Sequence, residues 1–206
     1  MAKPTIFSRY IPGSAARLLC SALAVLLILS GIIALILYLI YHPSHPHFTV
    51  LSAAIFRLTS SSSPTPATAI STSFQFTISI RNPNHRSTIQ YDGLCIYVSY
   101  RDQPITPPSS LPSIYQESDG TVTVSPVIGG EAVPVSAEVE SALMTEEAYG
   151  VVPLRLVISG RVKYRPGPFR SGWVNVFVKC DVLVGYRKGV SGQVPLLGQN
   201  ECDVDT

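Results

Sequence analysis

A run of 24 residues without a charged side chain, from Leu18 to Tyr41, constrains this chain more than any other feature. As a helix rising ~1.5 Å per residue it reaches ~36 Å, enough to cross the ~30 Å hydrocarbon core of a bilayer. A helix is the expected state because every backbone N–H and C=O must pair within a segment that lies in lipid. We therefore predict a transmembrane signal-anchor helix over 18–41, preceded by a short tail over 1–17 and followed by a linker over 42–47.

Basic residues on the two sides of this run predict its orientation. Lys3, Arg9 and Arg17 precede it, and the next basic residue is Arg57. The positive-inside rule then places the N-terminus in the cytosol and the C-terminal part outside. A cleaved signal peptide is the alternative, but its apolar region covers only ~7–15 residues and ends at a small-residue site, which the exit from this run lacks.

The remaining part, 48–206, is long enough to form one domain with a hydrophobic core. All 13 acidic residues and 12 of the 15 basic residues of the chain lie after the run, so this part is close to neutral. Nucleic-acid binding requires a strongly basic surface, and the composition therefore excludes it.

Alternation of apolar and polar residues predicts that the domain consists of strands. In the clearest strand, Phe74, Phe76, Ile78 and Ile80 share one face. Further strands are predicted over 48–58, 94–100, 121–124, 154–165 and 173–184, with loops over 59–69 and 103–112. The residues predicted to share the inner face of the first strand are Val50, Ser52, Ala54, Phe56 and Leu58.

A single short helix interrupts the strands. Ser136 is a suitable N-cap, Glu138 and Glu140 complement the helix dipole, and Gly150 is a suitable end. Each strand has one apolar face that needs a facing sheet. The predicted fold is therefore mainly β: an antiparallel β-sandwich of the immunoglobulin or fibronectin-III type with one short helix.

The cysteines indicate the compartment and one covalent link. Cys20 lies inside the apolar run, whereas Cys95, Cys180 and Cys202 fall in the part predicted to face an oxidising compartment, where disulfides persist. We predict a Cys180–Cys202 disulfide because Cys202 lies in a Gly/Pro-rich tail that has little else to fix it. Cys95 then stays free or links two chains into an oligomer.

The histidines do not indicate catalysis or metal binding. His42, His45 and His47 interleave with prolines, whereas metal ligands need a defined geometry. His85 is the remaining histidine, so a Ser–His or Cys–His pair has one candidate base. Because the sequence also lacks a Gly-rich phosphate loop and a metal-type Cys/His spacing, we predict a protein without enzymatic activity, cofactor or metal.

One strand carries a row of cations. Arg161, Lys163 and Arg165 alternate with apolar residues, so their side chains emerge on one side of the sheet, and Arg170 follows after a turn. Two interpretations are open. The row is either a solvated face that discourages edge pairing, or an anion-binding face for pectic polysaccharide, anionic lipid or an acidic partner, with weak and salt-dependent binding.

An ordered set of short motifs runs through most of 48–184. It includes Arg81-Asn82-Pro83-Asn84 at the end of a strand, Tyr115-Gln116, a segment over 150–155 and a segment over 178–182. The set resembles the plant NHL family, whose members are similar to non-race-specific disease resistance and harpin-induced proteins, within the late embryogenesis abundant (LEA) group 2 superfamily. This chain departs from several members at 117–118, where Glu-Ser replaces Gly-His.

The resemblance implies an immunoglobulin-like sandwich, residence in the plasma membrane with the domain in the apoplast, and a role in defence or stress without catalysis. Three functions stay open. The domain is an interaction module for the cell wall or for membrane and defence proteins, a binding module for a lipid or small apolar ligand between the sheets, or a stress-protective structural protein. A large apolar cavity would favour the second function, and a packed core the first.

Overall fold

The computed structural model describes residues 13–41, 44–61, 68–167, 171–187, 189–198 and 200–205. The chain divides into two compact units, 1–42 and 43–206. Each unit is described by itself below.

The first unit contains helix α1 (Gly13–Tyr41). Its large apolar side chains are exposed, from 46% at Leu37 to 70% at Leu18. The stretch Ala16–Leu39 is long and apolar enough to cross a membrane. A helix that is apolar on all sides is stable in the core of a large protein or in a membrane. Because the side chains of α1 are exposed in its unit, α1 indicates a membrane anchor or a signal sequence.

The second unit consists of β-strands and helix α2 (Ala137–Tyr149), which lies between β8 and β9. The strands in chain order are β1 (His47–Ser61), β2 (Ala69–Arg81), β3 (Ser87–Tyr100), β4 (Gln103–Pro104), β5 (Ser109–Ser110), β6 (Ile114–Gln116), β7 (Thr121–Val124), β8 (Val127–Pro134), β9 (Val152–Pro166), β10 (Val174–Val184), β11 (Gly192–Val194) and β12 (Asp203–Asp205).

These strands form two antiparallel sheets. The first has the order β11-β1-β2-β7, with β8 also pairing with β2. The second has the order β12-β10-β9-β3-β4, with β5 and β6 also pairing with β3. A mainly β fold of antiparallel sheets with one short helix after an N-terminal apolar helix confirms the predicted fold class.

The apolar faces of the two sheets form one core. Alternation in β2 places Phe74, Phe76, Ile78 and Ile80 in this core, as predicted. Burying each such side chain stabilises the fold by about 1.5–3 kcal/mol. On the opposing sheet the core is lined mainly by aliphatic residues of β9 and β10.

The predicted inner face of β1 is wrong in its middle. Phe56 is 47% exposed and Ser52 and Ala54 are only half-buried, whereas Ala53 and Ile55 are buried. The pairing of β1 with β2 shifts twice, between Val50 and Ser52 and between Ile55 and Arg57. Each shift inserts a residue into one strand, and this reverses which side chains point inward.

Both ends of the predicted helix are confirmed. The Ser136 hydroxyl accepts a hydrogen bond from the Val139 N–H (3.2 Å), and Gly150 has the left-handed conformation, with φ 82°. By contrast, β6, β8, β11 and β12 were not predicted. The segment 103–112, predicted as a loop, contains the short strands β4 and β5.

Candidate functional site

The strand register defines two ends of the sandwich. β1 starts at His47 opposite Arg81, and β3 starts at Ser87 opposite Pro166. We call this the entry end, because the chain arrives there from α1. The opposite end, where β9 starts at Val152 beside the last residue of β10, is the far end.

The first family motif places a fully buried amide, Asn82, at the entry end. The Asn82 Nδ2 donates to the carbonyl oxygens of Ser87 (2.7 Å) and Glu117 (2.9 Å). Its Oδ1 accepts from the backbone N–H and the Nδ2 of Asn84, both at 3.0 Å. Both donor hydrogens and both acceptor positions of this side chain are therefore used within the protein.

Asn84 continues the network to the start of the domain. Its Oδ1 accepts from the Ser44 backbone N–H (2.7 Å), and its Nδ2 donates to the Ser44 carbonyl oxygen (2.8 Å). One side chain therefore pairs with both backbone groups of a residue that lies three positions after the end of α1. Asn84 thus fixes the point at which the chain enters the sandwich.

The second family motif supplies a third buried amide. Gln116 donates from Nε2 to the Ile80 carbonyl oxygen (2.7 Å) and accepts at Oε1 from the Tyr91 hydroxyl (3.0 Å). Its neighbour Tyr115 is 55% exposed. We call Asn82, Asn84 and Gln116 the amide network. It joins β2, β3 and the segment after β6 through neutral hydrogen bonds, so these three motif residues act as structural residues of the entry end.

The predicted basic row lies on the outer face of β9 near the entry end, next to Trp173. The Arg161 guanidinium carbon and Lys163 Nζ each lie 5.5 Å from the centre of the indole ring. Arg161 also pairs with Asp92 (2.8 Å). Arg165 donates to the neutral Gln90 side chain (2.8 Å). Arg170, the fourth residue of the predicted row, lies outside the described residues.

Four cations at the entry end have no ion-pair partner among the described carboxylates. They are Arg81 at the end of β2, Arg86 before β3, and Lys163 and Arg165 at the end of β9. We call these four residues the entry-end cations. Arg81 and Arg86 are exposed and the other two are half-buried. Arg86 lies beside the end of β9, where its carbonyl oxygen accepts a hydrogen bond from the Gly167 N–H (3.1 Å), whereas Arg81 ends β2 in the other sheet, and no local sequence pattern relates either residue to β9.

At the far end, two arginines are paired with carboxylates. Arg155 binds Asp181 through two hydrogen bonds (2.6 and 3.3 Å) and also pairs with Asp102. The hydrogen bond to Asp181 raises the pKa of Arg155 above its ordinary value. Arg101 pairs with Glu146 (3.1 Å). A surface groove of about 400 Å³ lies beside these pairs, and Arg101, Asp102, Arg155 and Asp181 are among its lining residues.

The two cysteines that were predicted to pair are bonded to each other. The sulfur atoms of Cys180 and Cys202 are 2.04 Å apart, which is a disulfide bond. This bond fastens the segment before β12 to β10. Cys95 is a free, half-buried thiol on β3, and Cys20 is a free, exposed thiol on α1.

The histidines that the structure describes are His45, His47 and His85, which lie before or at the start of β1 and before β3. His42 lies outside the described residues. His85 Nδ1 lies 2.7 Å from Asp119 Oδ2 at the surface of the entry end. Within the described part of the chain, no three His, Cys, Asp or Glu side chains are grouped closely enough to hold a metal ion.

Together, these features define a class: an antiparallel β-sandwich, held at its entry by a buried amide network and preceded by an apolar helix. The model of the late embryogenesis abundant protein family LEA_2 matches residues 77–180, which include the whole amide network. The chain belongs to this family.

Named relatives agree with this assignment. The chain is 33% identical to NDR1/HIN1-like protein 1 of Arabidopsis thaliana over 160 residues, which cover 78% of this chain and 76% of the relative. It is 30% identical to NDR1/HIN1-like protein 26 of the same plant over 76% of this chain and 74% of the relative. For NDR1/HIN1-like protein 12 the identity is 28% over 84% and 81%.

Proposed function

We propose that this chain is a single-pass plasma-membrane protein that presents its sandwich on the extracytoplasmic side as a binding domain, without catalytic activity, in defence or stress responses. The domain would begin at residue 48, after a cytosolic tail, a spanning helix and a short linker. The observation that carries this proposal is helix α1, whose apolar side chains are exposed along its length.

Two independent features support the orientation. Basic residues stand before the apolar run at Lys3, Arg9 and Arg17, which the positive-inside rule assigns to the cytosol. The domain contains the Cys180–Cys202 disulfide, and disulfides persist in oxidising compartments rather than in the cytosol. The basic residues before the helix and the disulfide after it therefore favour the same topology, with the N-terminus in the cytosol and the domain outside it.

The family relationship supports the biological setting. The relatives are named after NDR1 and HIN1, and the motifs described above resemble a family linked to defence and stress. The proposed lack of catalysis rests on the family relationship.

The packing favours surface binding over an apolar ligand held between the sheets. Phe48, Phe74, Phe76 and Tyr91 fill the region between the sheets and are 0% exposed. The 400 Å³ groove lies at the far end of the sandwich, and its lining combines charged residues with apolar ones, Leu154, Val182 and Leu183 among them. Partners such as cell-wall polysaccharides or membrane and defence proteins would therefore meet the outer faces of the sheets.

Protease protection tests this topology. The full chain carrying one tag at each terminus is expressed in plant protoplasts, and protease is added to the intact cells. We expect loss of the C-terminal tag and survival of the N-terminal tag, with both lost after detergent. Survival of the C-terminal tag in intact cells would contradict the proposal, and release of the domain into the medium would indicate a cleaved signal sequence.

A further inference from the structure

We propose that the outer surface of the second sheet, around Trp173, binds a linear polysaccharide that carries uronate carboxylates. The proposal rests on the proposed function, because a wall polysaccharide can reach only a domain on the extracytoplasmic side. It deepens that function by naming the chemical class of one partner and the face of the domain that meets it. Charge, exposed aromatic rings and hydrogen-bonding groups on this surface carry the inference.

Strand pairing gathers these groups on one surface. β3, β9 and β10 are neighbours in the second sheet, and residues that lie directly opposite each other share a face. Asn175 of β10 lies opposite Arg161 of β9. Trp173 directly precedes β10, and its ring contacts both Arg161 and Lys163. We call this surface the Trp173 face, and it consists of Arg161, Lys163, Arg165, Trp173, Asn175 and Phe177.

The cations of the Trp173 face are only partly neutralised. Arg161 pairs with Asp92 (2.8 Å). Lys163 has no ion-pair partner among the described carboxylates, and neither has Arg165, which donates to the neutral side chain of Gln90 (2.8 Å). These two half-buried cations are therefore available to an external anion.

Two further carboxylates of this sheet lie farther along β10. Asp203 and Asp205, on the edge strand β12, pair in register with Lys179 and Phe177. At ~3.3 Å per residue, Phe177 lies about 13 Å from Trp173 along the strand direction. The end of the face that contains Trp173 therefore carries an excess of positive charge, which is complementary to a ligand with carboxylates.

Two aromatic rings add the second property that a sugar requires. Trp173 is 42% exposed although two cations contact its ring, and Phe177 is half-buried on the same face. A sugar ring has apolar C–H groups on its faces and hydroxyl groups around its edge, so it can stack on an aromatic ring and form hydrogen bonds beside it. The exposed amide of Asn175 lies between the two rings and supplies both donors and an acceptor.

Other anionic partners fit the Trp173 face less well. An extended acidic peptide pairs with a free strand edge, whereas both edges of β9 are occupied by β3 and β10. Anionic phospholipids are concentrated in the cytoplasmic leaflet, which is on the opposite side from the proposed position of the domain. A linear polymer that repeats its carboxylates can instead make several weak contacts with an extended face at once.

The fluorescence of Trp173 reports on this contact directly, because the chain contains a single tryptophan. The full chain is placed in nanodiscs of phosphatidylcholine and titrated with oligogalacturonate at low and at high salt. The fully methyl-esterified oligomer, which has the same sugar rings without the charge, is the matched control. We expect oligogalacturonate to change the fluorescence until it saturates, and esterification or high salt to weaken binding by about fivefold or more.

Paired variants locate the effect. The variant K163Q/R165Q removes the two available cations, whereas R57Q/R187Q removes an exposed cation of the first sheet and one beside Gly150. Because replacing Lys163 changes the surroundings of the indole, binding is measured by surface plasmon resonance on immobilised oligogalacturonate. We expect the first variant to bind about tenfold more weakly and the second to bind like the parent. Far-ultraviolet circular dichroism checks that both are folded.

The variant W173A separates stacking from charge, because it removes the ring and keeps the cations. We expect it to bind oligogalacturonate about fivefold more weakly than the parent. Polyglutamate of matched length offers carboxylates without sugar rings, and we expect it to bind the parent more weakly than oligogalacturonate does.

Several results would overturn the proposal. These are equal binding of the acidic and the esterified oligomer, equal loss in the two paired variants, or binding of polyglutamate as tight as that of oligogalacturonate, which would indicate an acidic protein partner. Recovery of the chain with the nanodiscs tests anchoring separately. Failure to enter the discs counts against the proposed function, whereas entry without binding counts against the polysaccharide alone.

Discussion

The two ends of the sandwich are held together by different chemistry. At the entry end, buried neutral amides carry the hydrogen bonds, and Asn82 uses every donor and acceptor it has. At the far end, surface ion pairs carry them, with Arg155 between Asp102 and Asp181. Ion pairs occur near both ends, since Arg161 pairs with Asp92 near the entry end and Arg101 and Arg155 pair with carboxylates at the far end.

The two ends therefore differ in how salt should affect their contribution to stability. Neutral hydrogen bonds in a buried site are insensitive to salt, because they join groups without net charge. Surface ion pairs are screened by salt and contribute little individually, typically 0–1 kcal/mol. We infer that the amide network is the main structural feature of the entry end, and that each ion pair at the far end contributes less to stability.

The largest effect is expected from Asn82→Asp. The substitution keeps the shape but removes both Nδ2 donors, so the Ser87 and Glu117 carbonyls lose their partners and a carboxylate is buried among acceptors. We expect the free energy of unfolding to fall by about 3–5 kcal/mol, measured by urea denaturation of the full chain in detergent. Asn175→Asp, at an exposed position on β10, is the matched control, and similar small losses in both variants would contradict the assigned role.

The second-largest effect is expected from removing the disulfide bond. Replacing Cys180 and Cys202 by serine opens a loop with a sequence separation of 22 residues. In the chain-entropy model this costs about 3 kcal/mol of unfolding free energy. Cys95→Ser, which removes the free thiol of the same domain, is expected to change stability much less. Peptide mapping without reduction checks the pairing, and a Cys95–Cys180 peptide would refute it.

Alkaline pH should weaken the entry end through its buried phenols. Burial raises the pKa of Tyr164 to about 12, and burial also raises the pKa of Tyr91 above its ordinary value. Because the folded state disfavours the phenolate, the stabilisation is fully present below pH 10.0 and is lost as pH rises toward 12. We expect Tyr164 to account for about 1 kcal/mol of lost unfolding free energy at about pH 11, and Tyr164→Phe to remove that share. An unchanged pH dependence in this variant would contradict the argument.

The smallest effect is expected at the far end. Arg155→Gln removes the pairs with Asp102 and Asp181, all of which are partly exposed. We expect a loss of about 0.5–1 kcal/mol at low salt that mostly disappears at high salt. Urea denaturation at the two salt concentrations measures it. A loss as large as that of Asn82→Asp, or one that is insensitive to salt, would remove the distinction between the ends.

Several elements could be predicted because a local pattern determines them. The apolar run gives α1, strict alternation gives β2, β9 and β10, and Ser136 and Gly150 give both ends of α2. In each case the controlling interactions lie within one element, so the order of residue types is sufficient.

Other features depend on contacts that the sequence does not display. The bulges in β1 arise from its pairing with β2, and β8 contains Gly129, where a Cβ atom would lie 2.5 Å from the Thr72 carbonyl oxygen. Two adjacent glycines hide the alternation of that strand. In the sequence, the residues of the amide network can be recognised only as parts of two family motifs. No local pattern indicates that Asn84 contacts Ser44, which lies 40 residues earlier.

The salt dependence of the two ends tests this account most directly. The free energy of unfolding of Asn82→Asp and of Arg155→Gln is measured by urea denaturation at low and at high salt. The account predicts a loss of about 3–5 kcal/mol for Asn82→Asp that changes little with salt, and a loss of about 0.5–1 kcal/mol for Arg155→Gln that mostly disappears at high salt. Losses of equal size, or the same salt dependence in both variants, would contradict it.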